Sequence, residues 1–207
     1  RNEGVEVIVE RLKKRTRTKD FVVGISLART NDTHSTSVEA GIEDYCTSLK
    51  HCLVHSVGDY YTLNISCPNA FGGETFTTPI LLKKLLAEIK KFSCSKPIYV
   101  KMPINLPWVD FNNLLLVIAD YGLAGVIIGN LNKNYSALDF RDEAPAQYVG
   151  GLSGKPCRDL STSLIRQTRA RYGQKFTIIG CGGVMSPADA QAKFLVGADL
   201  IQLITGL

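Results

Sequence analysis

The 207-residue sequence predicts an α/β protein, a parallel (β/α)8 TIM-type barrel with about six of its eight βα units in this chain. Three observations predict it. Short apolar runs alternate with amphipathic helical runs from one end of the chain to the other. The apolar runs are unbroken and rich in Val and Ile, as in strands covered by helices, which makes the sheet mostly parallel. Polar residues gather just after five or six separate runs, whereas an open doubly wound sheet would concentrate them at one crevice.

In chain order, VEVIVERLKK (5–14) has helical periodicity and FVVGISL (21–27) reads as the first strand. The helix VEAGIEDYCTSLKHCLV (38–54) leads to the strand YYTLNIS (60–66). Thr78-Pro79, a cap followed by proline, opens the helix TPILLKKLLAEIKKF (78–92), and PIYVKM (97–102) is the third strand. FNNLLLVIADYG (111–122) stops at Gly122 before GVIIGN (125–130). LSTSLIRQTRARYG (160–173) stops at Gly173 before FTIIGC (176–181), and SPADAQAKFLVG (186–197) opens on Ser186-Pro187, stops at Gly197 and precedes DLIQLIT (199–205). Two barrel strands are not visible.

A composition of 45% hydrophobic and 21% charged residues, with no linker or low-complexity segment, predicts one globular domain over 1–207, a partial α/β barrel. No apolar run reaches the roughly 18 residues that span a bilayer, and the first residues do not resemble a signal peptide, so the chain reads as soluble. Six cysteines without a C-x-x-C pair argue against a disulfide framework or zinc ribbon and for a reducing, intracellular compartment. The charge of +5 lies largely in RLKKRTRTK (11–19), which ends a helix where cations complement the macrodipole. Without aromatic interleaving or a recognition motif it predicts no nucleic-acid partner. His51, Cys52 and His55 could share a helical face, yet lack the carboxylate of a zinc motif, and no metal is expected.

The chemistry-bearing stretches lie at strand ends. LNISCPN (63–69) crowds Asn64, Ser66, Cys67 and Asn69 where Pro68 stops the ladder. Lys101 ends an otherwise apolar strand and needs a polar or anionic partner there. GGLSGKP (150–156) and GCGGV (180–184) are glycine-dense, and their backbone amides can nest an anion near the last two strands, where such barrels hold phosphate. Neither has the spacing of a P-loop or dinucleotide fingerprint. The irregular stretch 131–149 reads as a functional loop, and FGGETFTT (71–78) as a lid hinged on Gly72 and Gly73.

LNISCPN, YVKM, GVIIGN, GGLSGKPCRDLST, IIGCGGV and LIQLITG, in this order, resemble the flavin-dependent dihydroorotate dehydrogenases. The GGLSGKP-x-RDLST string is similar to the quinone-linked, membrane-associated class. The resemblance implies an eight-stranded barrel holding FMN over its C-terminal mouth, with two strands and a last helix outside this chain. It implies oxidation of dihydroorotate to orotate in pyrimidine biosynthesis, with Cys67 as the base that removes a proton, Ser66 taking part, and hydride passing to FMN. Asn64, Asn69, Asn130 and Asn132 would bind substrate. Ser26, Lys101, Gly129, Ser153, Gly154, Gly182, Gly183 and Thr205 would bind FMN, Lys101 by stabilising the reduced anionic flavin. A quinone would accept the electrons, and membrane contact would come from residues preceding Arg1, so the protein would be cytoplasmic and peripheral on the inner membrane. An uncovered strand edge would be met by another segment or by homo-oligomerisation.

The chain departs from the pattern in places. The quinone-linked class carries Ser where Cys67 stands, Cys being the mark of the soluble classes. Ser26, Ala28 and Thr30 replace Asn, Gly and Asn; Gly129 and Leu131 replace threonines; Ile204 replaces Tyr; Arg1 falls where a substrate-binding Asn is expected. A related flavin barrel acting on another pyrimidine, or a catalytically impaired remnant, are the alternatives these departures leave open.

Overall fold

The computed structural model describes residues 3–16, 18, 20–31, 36–66, 75–135 and 150–207. Twelve elements alternate: α1 (Val5–Lys14), β1 (Gly24–Leu27), α2 (Val38–Val54), β2 (Tyr60–Asn64), α3 (Pro79–Ile89), β3 (Ile98–Met102), α4 (Trp108–Asp120), β4 (Gly125–Ile128), α5 (Arg158–Tyr172), β5 (Thr177–Cys181), α6 (Pro187–Leu195) and β6 (Leu200–Gln202). The six strands form one sheet in sequential order, every neighbouring pair parallel. A doubly wound sheet would reverse its order at a switch point; this one does not. Each helix packs on the next, from α1 through α6, so the helices form one layer on one side of the sheet.

The strand alternation therefore sorts residues between two faces. Tyr61, Leu63, Val100, Met102, Val126, Ile128 and Ile178 face the helices and join the main core with Leu49, Leu82, Leu86, Phe111, Leu115 and Ile165. Ile127, Ile179 and Cys181, with Tyr99, form a separate small cluster on the opposite face. On that inner face Tyr60 meets Tyr99 edge-on at 5.5 Å. Gly24, paired with Tyr60, makes room for the ring: a Cβ there would lie 2.0 Å from Tyr60 Cζ.

The sheet is curled. Lys101 of β3 donates to Gln202 Oε1 of β6 at 3.3 Å, although in a flat sheet three interstrand steps would separate those backbones by about 14 Å. Six parallel strands curled inward with helices outside are most of a TIM-type barrel, in agreement with the sequence.

Local signals explain the element ends. Ser37, Thr78 and Ser186 cap α2, α3 and α6, their hydroxyls accepting from the N–H groups of Ala40, Leu81 and Asp189. Asp189 returns the cap, accepting from the Ser186 hydroxyl at 2.8 Å and from Met185 N–H at 3.2 Å. Several strands end sooner than their apolar runs. β1 begins only at Gly24, because Val23 N–H turns to the Asp59 carboxylate at 2.8 Å. β4 ends at Ile128, because a Cβ at Gly129 would sit 1.8 Å from Ile104 Cγ2 and the Asn130 side chain folds back to accept from Leu131 N–H at 2.8 Å. Among the described residues no helix is long and apolar enough to cross a membrane.

Candidate active site

The C-terminal ends of β2, β3 and β4 bring two carboxamides and a hydroxyl together. Asn130, just past β4, donates through Nδ2 to Asn64 Oδ1 at 3.1 Å, to the Ser66 carbonyl at 3.2 Å and to Ser66 Oγ at 2.6 Å. Ser66 is buried and its hydroxyl donates to the Lys101 carbonyl at 3.4 Å. Asn64, Ser66, Lys101 and Asn130, nearly 70 residues apart at the extremes of the sequence, are thus one hydrogen-bonded group.

From that group a cavity continues across the ends of β5 and β6. Lys101, Gly129 and Asn130 form one wall; Ser153 and Gly154 another; Gly182, Gly183 and the segment 202–206, including Thr205, complete it. The cavity, about 70 Å³ and partly open to solvent, has room for a few waters. Gly154, Gly182 and Gly183 have φ of 75°, 94° and 72°, a conformation that side chains resist. At Gly183 a Cβ would also strike Arg158 Cβ at 2.4 Å, so the turn can lie against α5 only as glycine. A cation, two hydroxyls and two glycine turns fit an elongated ligand with an anionic end.

Of the residues singled out from the sequence, Lys101, Gly129, Asn130, Ser153, Gly154, Gly182, Gly183 and Thr205 line this cavity, and Asn64 and Ser66 bond to it through Asn130. Ser26 on β1 instead lines a separate groove beside α1 and α2, with Arg29, Asp44 and His51. Asn132 turns inward, 2% exposed. Its Oδ1 accepts from Asn105 Nδ2 at 2.8 Å and Asn134 N–H at 2.9 Å, and its Nδ2 donates to the Pro156 carbonyl at 3.1 Å. It also exchanges two backbone hydrogen bonds with Leu152, so it ties the end of β4 to the glycine-dense turn. Cys67 and Asn69 lie outside the described residues, as do residues 71–74 of the expected lid and 136–149 of the expected loop.

Sequence reasoning missed Gln202, Asn105, Cys157, Cys181 and Lys193. Gln202 was discoverable: two residues past the inward Leu200, it belongs to the face that carries Lys101. Cys157 and Cys181 line the cavity; burial pushes the Cys157 thiol up, so it is neutral at physiological pH. Lys193 is wholly buried behind β5, and burial pulls its pKa down to about 8. Its helix gave no sign of it, because a lysine in AKFLV reads as a solvent-facing residue.

The chain is similar to known proteins over its whole length. A family profile described as dihydroorotate dehydrogenase matches residues 1–207. A dihydroorotate dehydrogenase (quinone) of Trichormus variabilis is 34% identical over 211 residues, which are 99% of this chain and 55% of the relative. One from Polynucleobacter necessarius is 33% identical over 218 residues, 100% of this chain and 60% of the relative. The chain spans little more than half the length of these relatives. A crystal structure of DHODH in complex with ferulenol from Eimeria tenella superposes with a TM-score of 0.82 at 22% identity, over 99% of this chain and 59% of that one, and shares its fold. This chain belongs to the dihydroorotate dehydrogenase family.

Proposed function

We propose that the chain, as one partial barrel domain over residues 1–207, carries the greater part of a site that oxidises dihydroorotate to orotate with FMN, the electrons passing on to a quinone. The observation that carries this reading is the single cavity bounded by Lys101, Asn130, Ser153, Gly154, Gly182, Gly183 and Thr205, drawn from four strand ends. The likeness to dihydroorotate dehydrogenases (quinone) supplies the substrate and the acceptor.

Bound FMN supplies an acceptor for hydride. The chain's own residues do the rest. Backbone turns at Gly154, Gly182 and Gly183, with the hydroxyls of Ser153 and Thr205, hold the phosphate end. Lys101 supplies positive charge at the opposite wall, fixed by Gln202, where reduction adds negative charge. Asn64 and Asn130 offer the substrate a pair of carboxamides, joined in this reading by Asn69, while Asn132 acts at one remove by holding the glycine-dense turn. In this reading Cys67 takes the proton from the substrate carbon, and Ser66 holds Asn130 by accepting from its Nδ2.

The test is direct. Full-length protein should purify yellow, and dihydroorotate should bleach its flavin absorbance without oxygen. Cys67→Ala should retain the colour and lose the bleaching rate by roughly 10²-fold or more, the scale of a lost general base. Colourless protein that takes up no FMN would refute the cofactor assignment, and a Cys67→Ala variant bleached at the normal rate would remove the thiol from the chemistry.

A further inference from the structure

Lys193 has no exposed surface. Its Nζ donates to Ser161 Oγ, to Thr162 Oγ1 at 3.1 Å and to the Arg158 carbonyl at 3.4 Å, all uncharged oxygens near the start of α5. A helix N-terminus is electropositive, a poor place to bury a cation unless an anion comes close. The surrounding charged and titratable groups are Asp189 on its own helix, Arg158 and Asp159 on α5, and the thiols of Cys157 and Cys181. Asp189 is engaged by Ser186, Met185 N–H and Arg158, and Asp159 is 86% exposed beside Arg158. Neither carboxylate bonds the ammonium, and burial keeps the Cys157 thiol protonated.

The start of α5 that holds the ammonium also carries the glycine wall of the cavity. A Cβ at Gly180 would lie 3.1 Å from Lys193 Cδ, so the stem of the lysine passes directly behind β5. A Cβ at Gly182 would lie 3.8 Å from Ser161 Cβ, and one at Gly183 would lie 2.7 Å from Arg158 N. Two of the three residues that hold Nζ, Ser161 and Arg158, therefore also lie against Gly182 and Gly183, where Cys157 is the nearest neighbour of Gly182.

We propose that Lys193 is a positioning residue for the anionic end of the ligand, supplying from behind the glycine wall the charge that makes the cavity prefer a phosphate monoester to the same ligand without its phosphate. The inference rests on the flavin reading above. It gives the buried cation its missing counter-ion without a direct contact, through the amides of the turn that Lys193 underlies. Because the ammonium is neutralised near pH 8, the preference is switchable over an accessible range.

The experiment uses full-length protein freed of flavin and titrated with FMN and with riboflavin from pH 7 to 9.5, read by flavin fluorescence. The phosphate is already dianionic over this range, its second pKa being about 6. The FMN-to-riboflavin affinity ratio should fall roughly tenfold as pH rises through 8, as for one charge removed several ångströms away in a semi-polar medium. In Lys193→Met the ratio should be low and independent of pH, with riboflavin affinity unchanged. A wild-type ratio that stays constant across the range overturns the proposal while the flavin reading stands, and it does so whether or not the variant folds. If neither flavin binds, the cofactor reading fails and this inference fails with it.

Discussion

Asn130 has a single amide nitrogen near three acceptors, Asn64 Oδ1, the Ser66 carbonyl and Ser66 Oγ, and its own oxygen is taken by Leu131 N–H. A carboxamide held at both ends cannot flip, so its position is set by β2 as much as by β4. Asn130→Ala should cut the dihydroorotate-dependent rate by roughly 10²-fold, the scale of a misplaced reacting group, with little loss of flavin, which separate assays of turnover and absorbance would check. Retained turnover would mean that the cluster only braces the strands. Lys193 makes a different prediction at this scale. Its folded pKa, lowered to about 8 by burial, lies below the 10.5 of the free side chain. Between those values the unfolded chain binds the extra proton, so the lysine's contribution to stability increases with pH from about 8 to 10.5. Buried thiols with raised pKa values act in the opposite sense above about 8.5, so the useful measurement is the difference between wild type and Lys193→Met in urea unfolding. The variant's stability relative to wild type should fall by up to about 3 kcal/mol over that range. Of the site, the strand-end residues were legible, because Asn64, Lys101 and Asn130 interrupt apolar runs where only chemistry tolerates them. Lys193 and the inward role of Asn132 were not, since both depend on which loop packs behind which strand.

At the scale of elements, the same glycine-dense turn that lines the cavity is tied to the end of β4 through Asn132. Asn132 bonds Asn105, Asn134 and Pro156 and forms a two-bond bridge with Leu152. Asn132→Ala would leave the Pro156 carbonyl and Asn105 without it. The expected loss is about 1 to 3 kcal/mol. It should show as faster amide exchange confined to residues 150–157 and weaker FMN binding. Unchanged exchange there would show that the backbone bridge suffices. At α6 the reciprocal cap between Ser186 and Asp189 sets the helix start; Ser186→Ala should cost about 1 kcal/mol in urea unfolding. Helix bounds followed the sequence closely because caps, prolines and glycines are local signals. The outer bounds of β1 and β6 did not. Phe21 and Val22 continue an apolar run but stay outside the ladder, 59% and 66% exposed, because Asp59, distant in sequence, captures the Val23 amide. Leu203 to Thr205 leave β6 for the cavity mouth for a similar reason, since Gly154 packs against Thr205.

For the molecule as a whole, a sheet that curls enough to bond Lys101 to Gln202 still has two ends. Among the described residues β1 is paired only with β2, and β6 only with β5. Apolar side chains accompany both ends: Phe21 and Val22 before β1, and Leu200, Leu203 and Ile204 on and after β6, each at least 42% exposed. Parallel strands with unpaired backbone groups and apolar margins template further pairing unless charge, proline or a covering segment blocks it. A polypeptide limited to these 207 residues should therefore self-associate. Light scattering after size exclusion should show species larger than one chain that bind a hydrophobic dye. Placing charge on each margin, with Val22→Lys and Leu200→Lys together, should shift it toward the monomer, as inward or edge lysines do in natural sheets. If instead the unaltered 207-residue chain runs as a dye-silent monomer, its curled sheet protects its own edges, and the margins carry no demand for a partner.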